Sequence, residues 1–175
     1  MHHRLPTCAV LVALLLAATV PDVASAGQAS GLRADLNGRP IPVLAVSQYY
    51  CHDFNWPAIH CYSSPGSVDA AVRAALAQRT ARSTNIDSLS ALNYIRLYDL
   101  SGYAGAYIYL SANYPDLSVI GWNDRASSYV AVNNLSSSLS VNTYYQGATL
   151  FLCCNQHAPS LSSTFDNHIS SAERS

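Results

Sequence analysis

The chain has 175 residues, a formal net charge of −1, nine Arg and no Lys, and half of its residues are hydrophobic. The few cations are scattered, so the basic footprint of a nucleic-acid binder is missing. Twelve Tyr against only 11% charged residues suit short strands joined by polar turns.

The N-terminus opens with His2, His3 and Arg4, continues through an apolar run from Ala9 to Val20, and reaches Val23-Ala24-Ser25-Ala26 before Gly27. This order of charged region, short apolar region and small-residue cleavage site predicts a secretory signal peptide over residues 1–26. The apolar run is too short to span a bilayer, so no membrane association is expected after cleavage. Cys8 leaves with the peptide, and the functional chain is expected to be extracellular.

Residues 27–92 read as an N-terminal extension. Its first part, Gly27 to Pro42, is polar and holds two prolines, which predicts an arm or linker. Val43 to Tyr50 reads as extended, and Cys51 to Tyr62 as a disulfide-tied loop or hairpin around Trp56-Pro57. Ser64-Pro65-Gly66-Ser67 predicts a turn into a helix capped by Ser67, with Asp69 in its first turn. Val68, Ala71, Val72, Ala75 and Leu76 recur on one face, and Arg79 and Arg82 approach the C-terminal end, where positive charge suits the dipole. The helix is therefore expected to pack on a sheet. Thr84 to Leu92 reads as a polar connector.

Four cysteines remain after cleavage, namely Cys51, Cys61, Cys153 and Cys154, and in an oxidising compartment they read as two disulfides with three possible connectivities. Neighbours on a strand face opposite ways, so Cys153 and Cys154 are expected to have separate partners in Cys51 and Cys61. A zinc site built from Cys51-His52 and His60-Cys61 is the rival. It lacks the usual Cys-x2-4-Cys spacing, and its thiols would oxidise.

From Asn93 onward, short runs of Tyr, Ile, Leu and Val alternate with turn residues, which predicts an all-β sandwich or barrel. The segment also repeats. Tyr103-Ala-Gly105-Ala106-Tyr-Ile-Tyr-Leu110 aligns with Tyr145-Gln-Gly147-Ala148-Thr-Leu-Phe-Leu152 at an offset of 42. Asn123-Asp124-Arg125-Ala126-Ser127-Ser128 aligns with Asp166-Asn167-His168-Ile169-Ser170-Ser171 at an offset of 43. Residues 93–175 therefore read as one domain made of two copies, about 94–135 and 136–175.

These landmarks resemble the βγ-crystallin superfamily. Tyr98-x4-Tyr103-x-Gly105 has the form of its aromatic-x4-aromatic-x-Gly signature, and both six-residue elements fit its Asn/Asp-Asn/Asp-x-x-Ser/Thr-Ser calcium motif, the first preceded by Trp122. The resemblance implies a mainly β fold: a duplicated Greek-key sandwich with an N-terminal extension carrying one helix. Gly105 and Gly147 are expected where the backbone folds sharply, with Tyr98, Tyr103 and Tyr145 packed on the fold. In the second copy Ser140 replaces the first aromatic, and Tyr144 is a candidate substitute.

The motif oxygens are those a hard cation such as Ca²⁺ selects. The resemblance implies two sites, each drawing on both copies, with Asp124 and Asn167, Ser127 and Ser170, and carbonyls near Arg125 and His168 as donors, Asn123 and Asp166 completing the motifs. One carboxylate per element implies a Kd on the order of 10⁻⁵ to 10⁻³ M. The competing reading makes these loops Asx and Ser turns that cap backbone groups. Under the calcium reading the side chains of Arg125 and His168 must point away from the cation.

No Gly-x-Ser-x-Gly elbow or HExxH helix is present, and His52, His60, His157 and His168 are dispersed, so no enzyme is predicted. Asp53 reads as a turn residue. The function expected is calcium-linked structural stabilisation or extracellular binding, with Ca²⁺ and an extracellular protein as partners. The alternative is an inhibitor of an extracellular peptidase, or a Greek-key toxin, presenting Asn55-Trp56-Pro57.

Overall fold

The computed structural model describes residues 31–82, 93–132 and 136–174. The predicted signal peptide and the 84–92 connector lie outside these residues. Within them eleven strands form a sheet of eight and a sheet of three, and one helix covers the outer face of the larger sheet.

The chain enters through a hairpin of β1 (Arg33–Leu36) and β2 (Arg39–Ile41). The expected arm is thus a strand pair from Arg33 onward. Asn37 and Gly38 both take positive φ, 51° and 81°, the backbone that a two-residue hairpin loop requires. Pro40 is tolerated because β2 is the edge of its sheet. The segment expected to be extended, Val43 to Tyr50, is instead a 3₁₀ helix over Val43–Gln48. It carries the chain from the sheet edge to β3 and drops Val46 fully into the core.

β3 (Tyr50–Asn55) and β4 (Ala58–Tyr62) form the expected hairpin, with a cis Trp56-Pro57 bond in its loop. Their register sets Cys51 opposite Cys61 with Cα atoms 4.1 Å apart, and these two form a disulfide. The second disulfide joins the neighbours Cys153 and Cys154. The expected link between the two ends of the chain is therefore corrected. Its premise was strand alternation, but Cys153 and Cys154 lie past the end of a strand, and Cys154 turns at φ 58°.

α1 (Pro65–Arg82) starts one turn earlier than expected. Its cap is Ser64, whose hydroxyl accepts from the Ser67 N–H at 3.3 Å, and Pro65 fills the first helical position, where its missing N–H costs nothing. Asp69 consequently sits beyond the first turn, and its carboxylate accepts from the Tyr107 and Tyr109 hydroxyls, each at 2.7 Å. Val68 and Val72 are buried against Phe54, Tyr98, Tyr107 and Tyr109, so the helix packs on a sheet as predicted. Arg79 donates to the Phe54 carbonyl rather than toward the helix end.

β5 (Tyr94–Leu100), β6 (Ala104–Leu110) and β7 (Ser128–Val132) belong to the first copy; β8 (Ser137–Ser140), β9 (Thr149–Leu152), β10 (His157–Ala158) and β11 (Ser171–Arg174) belong to the second. The large sheet runs β10-β7-β5-β6-β3-β4-β1-β2, and the small one β11-β8-β9. Each copy lends its third segment to the other. β10 pairs with β7 of the first copy, while Tyr114 of the first copy bridges Ala172 in β11. The sandwich core between the sheets contains Leu97, Ile108, Trp122, Leu139, Leu152 and Ile169.

The N-terminal strands join this sheet through a parallel β3–β6 pairing that sets Tyr50, Cys51 and His52 beside Tyr107, Ile108 and Tyr109. Alternation along β3 sends Cys51 to the sandwich core and His52 and Phe54 toward the helix side. Asp53 is a fully buried strand residue, not the turn residue expected. Its carboxylate accepts from the Ser111 N–H at 2.5 Å, the Ala112 N–H at 3.1 Å and the Tyr114 hydroxyl at 3.1 Å.

Two outcomes follow for stability. Asp53→Ala leaves the buried Tyr114 hydroxyl and the half-buried Ser111 and Ala112 N–H groups without their acceptor and is expected to cost about 3–5 kcal/mol in urea unfolding; a loss below about 1 kcal/mol would remove Asp53 from this role. His52 is pushed down from 6.5 to about 4, chiefly by burial and next by His60, with Asp35 opposing and Arg79 adding to the fall. A depressed imidazole stays neutral in the fold while the unfolded chain protonates. The protein is thus expected to lose up to about 3 kcal/mol as pH drops from 6.5 to 4. An equal loss in His52→Gln would assign that dependence to other groups.

Candidate functional site

The two copies fold back at matched places. Tyr103 and Gly105 have φ of 60° and 76°; Tyr145 and Gly147 have 60° and 78°. A Cβ on Gly105 would meet Leu100 Cγ at 3.0 Å, and one on Gly147 would meet Val141 Cγ2 at 2.8 Å, so both positions require glycine for backbone and for space. Tyr98 and Tyr103 pack edge to face at 5.5 Å, as expected. In the second copy Ser140 and Thr149 hydroxyls, 3.1 Å apart, stand where Tyr98 and Tyr107 pair in the first. Tyr144 does not substitute: it turns at φ 57° and is 68% exposed.

The last serine of each motif locks its hairpin. Ser128 Oγ donates to the Leu100 carbonyl at 2.7 Å and accepts from the Tyr103 N–H at 3.1 Å. Ser171 Oγ donates to the Asn142 carbonyl at 2.6 Å and accepts from the Tyr145 N–H at 3.1 Å. Sequence reasoning missed these two residues as a working pair. Their signal was present, since both copies end the motif with the same hydroxyl.

The remaining motif residues meet across the copies. Ser170 Oγ donates to Asp124 Oδ1 at 3.1 Å, and Ser127 Oγ lies 3.4 Å from Asn167 Oδ1. The backbone repeats the relation: the Asp124 N–H donates to the Ile169 carbonyl at 2.9 Å and the Asn167 N–H to the Ala126 carbonyl at 3.0 Å. Asp124 and Asn167 both turn at positive φ, 54° and 55°. The first motif residue orients the second, Asn123 Nδ2 holding Asp124 Oδ2 at 2.6 Å and Asp166 Oδ1 accepting from Asn167 Nδ2 at 3.4 Å.

This yields two oxygen clusters of unequal charge. One places the Asp124 carboxylate beside Ser170; the other places the Asn167 amide beside Ser127, with the Asp166 carboxylate behind it. Arg125 turns away and pairs with Asp99 at 2.9 Å. His168 Nδ1 lies 2.6 Å from the Asp166 carbonyl, so its ring is tied to its own loop. The donor chemistry fits a hard cation with water completing its shell. Among the described residues no group of three or more His, Cys, Asp or Glu gathers around a point.

No protein-family model and no curated protein matches this sequence. Solved structures with a similar fold are βγ-crystallin domains. They include a βγ-crystallin from Ciona intestinalis (22% identity, TM-score 0.42, over 47% of this chain and 99% of that one) and one from an archaeon (20%, 0.42, over 47% and 98%). A βγ-crystallin domain from Flavobacterium johnsoniae is similar at 23% identity and TM-score 0.40, over 45% of this chain and 90% of that one. The likeness thus spans under half of the present chain.

The serine locks can be weighed directly. Ser171→Ala leaves the Tyr145 N–H and the Asn142 carbonyl without their partner and is expected to cost about 1–3 kcal/mol, with Ser128→Ala close behind. Urea unfolding midpoints unchanged in both variants would show that the hairpins hold without them.

Proposed function

We propose that this is an exported Greek-key protein whose β-sandwich is stabilised by calcium bound between its two copies. The observation that carries the reading is the crossed pairing of Asp124 with Ser170 and of Asn167 with Ser127, two oxygen pairs related by the repeat. Backbone bonds carry each loop to the other copy, and the side-chain oxygens that gather at that seam are the donors a hard cation takes. An ion held by both copies ties them together and stabilises the folded chain by mass action, about 2.7 kcal/mol at a hundredfold excess over Kd. The cluster with Asp124 is the stronger, because its carboxylate meets the ion directly. Export is supported by residues 1–26 and by two disulfides, which persist outside the reducing cytosol. We assign no catalytic step to the protein.

A second reading keeps the fold and adds an extracellular protein target, as an inhibitor or toxin would have. It is favoured by the hairpin tip: Asn55 is exposed, Trp56 is 46% exposed, and the Cys51–Cys61 disulfide braces the strands behind them.

Thermal melts in millimolar Ca²⁺ and in chelator decide the calcium reading. The midpoint is expected to rise by about 5–10 °C with the ion. Asp124→Ala is expected to lose most of that rise and Asn167→Ala less. A wild-type midpoint indifferent to Ca²⁺ would refute the proposal.

A further inference from the structure

Cys51-His52 and His60-Cys61 mirror each other in the sequence, and the hairpin register divides them by face. The thiols pair with each other on the core side, and His52 and His60, opposite each other in the ladder, face α1. There the alanines at 71, 74 and 75 are too short to fill the space between helix and strands. A cavity of about 420 Å³ remains, lined also by His52, His60 and Arg79.

Three observations make this more than a void. The imidazole centroids are 5.4 Å apart with the planes 51° to each other. Two imidazoles at metal–nitrogen distances of about 2.0–2.1 Å around a tetrahedral ion have their centroids roughly 5–5.5 Å apart, so the ring spacing suits a shared ion, which the buried His52 Nδ1 meets once its ring turns toward the cavity. His60 Nδ1 is held by Asp35 Oδ2 at 2.6 Å, which makes Nε2 the ring's remaining donor position and reproduces the carboxylate–imidazole arrangement that orients metal-binding histidines. His52 is only 4% exposed, yet its Nδ1 is buried with no hydrogen-bond partner. A buried polar nitrogen left unpaired is costly unless something meets it.

We infer that His52 and His60 form an open, two-imidazole site for a divalent transition ion such as Zn²⁺, facing the cavity under α1. Two nitrogen donors leave coordination positions for water or a small anion. Arg79, stacked over the Phe54 ring at 5.2 Å, opposes the bare cation but favours an anionic third ligand in the same cavity. The site shares no residue with the Asp124 and Asn167 clusters and does not depend on the calcium reading.

The test is isothermal titration with ZnCl₂ of the full chain carrying His2→Ala, His3→Ala and Cys8→Ser, which removes the N-terminal histidines and thiol as competitors. One ion per chain is expected. In the same background His60→Gln is expected to weaken binding at least tenfold, Asp35→Asn about tenfold, and Asp124→Ala not at all. His52→Gln is read alongside where circular dichroism shows the native fold; His60 and Asp35 are partly exposed and carry the test without it. Absence of saturable uptake overturns the proposal, as does uptake unchanged by His60→Gln. Loss in Asp124→Ala with none in His60→Gln assigns the ion to the motif loops and overturns it equally.

Discussion

The Asp53 carboxylate is the joint on which this architecture turns. It sits fully buried on β3 and gathers two backbone N–H groups and a phenol from the segment that follows β6. Burial pushes its carboxyl upward, while the donors from Ser111, Ala112 and Tyr114 pull the other way. An ionisable group in such a place is tolerable only when satisfied, so the chain must bring β3 beside β6 and place Tyr114 under it. Tyr114 is also the residue by which the first copy bridges Ala172 of the second. One carboxylate thereby couples the N-terminal strands to the exchange between the copies.

That exchange explains the form of the motif loops. Each copy contributes one segment to the other's sheet, so the loops that follow Trp122 and Phe165 are carried to the same seam, each facing the other's serine. Within each motif the labour divides. The final serine closes its own hairpin, the preceding one reaches across, and the Asn/Asp pair orients an oxygen toward it. The copies have diverged where packing allowed it: a tyrosine pair beneath the first hairpin is a hydroxyl pair beneath the second.

The abundance of tyrosine finds its reason on the other face of the large sheet. A helix must be carried there, yet the sheet presents Arg96 among the rings of Tyr98, Tyr107 and Tyr109, with the guanidinium carbon 4.9–5.4 Å from their centroids. Asp69 of α1 accepts from two of those phenols and lies 3.7 Å from Arg96. Burial, and then the Asp69 carboxylate, push the Tyr107 and Tyr109 hydroxyls well upward, so they remain donors. The layer is held by an aromatic and ionic contact where a simple aliphatic one would suffice elsewhere. Farther along the helix the alanines leave the cavity over His52 and His60.

Local chemistry is legible in the sequence wherever a residue acts through its own neighbours. The hairpin around Trp56-Pro57, the helix face of Val68 and Val72, the glycines at 105 and 147, and the two motif loops could all be read that way, because spacing and backbone preference are local properties. Asn37-Gly38 carried an equally local signal, obscured by the prolines around it. The partners of the cysteines, the burial of Asp53, the cross-copy pairing of Asp124 with Ser170 and the facing of His52 toward a helix were decided only by tertiary structure. Each depends on which strand lies beside which, and strand order is set by packing between segments far apart in the chain.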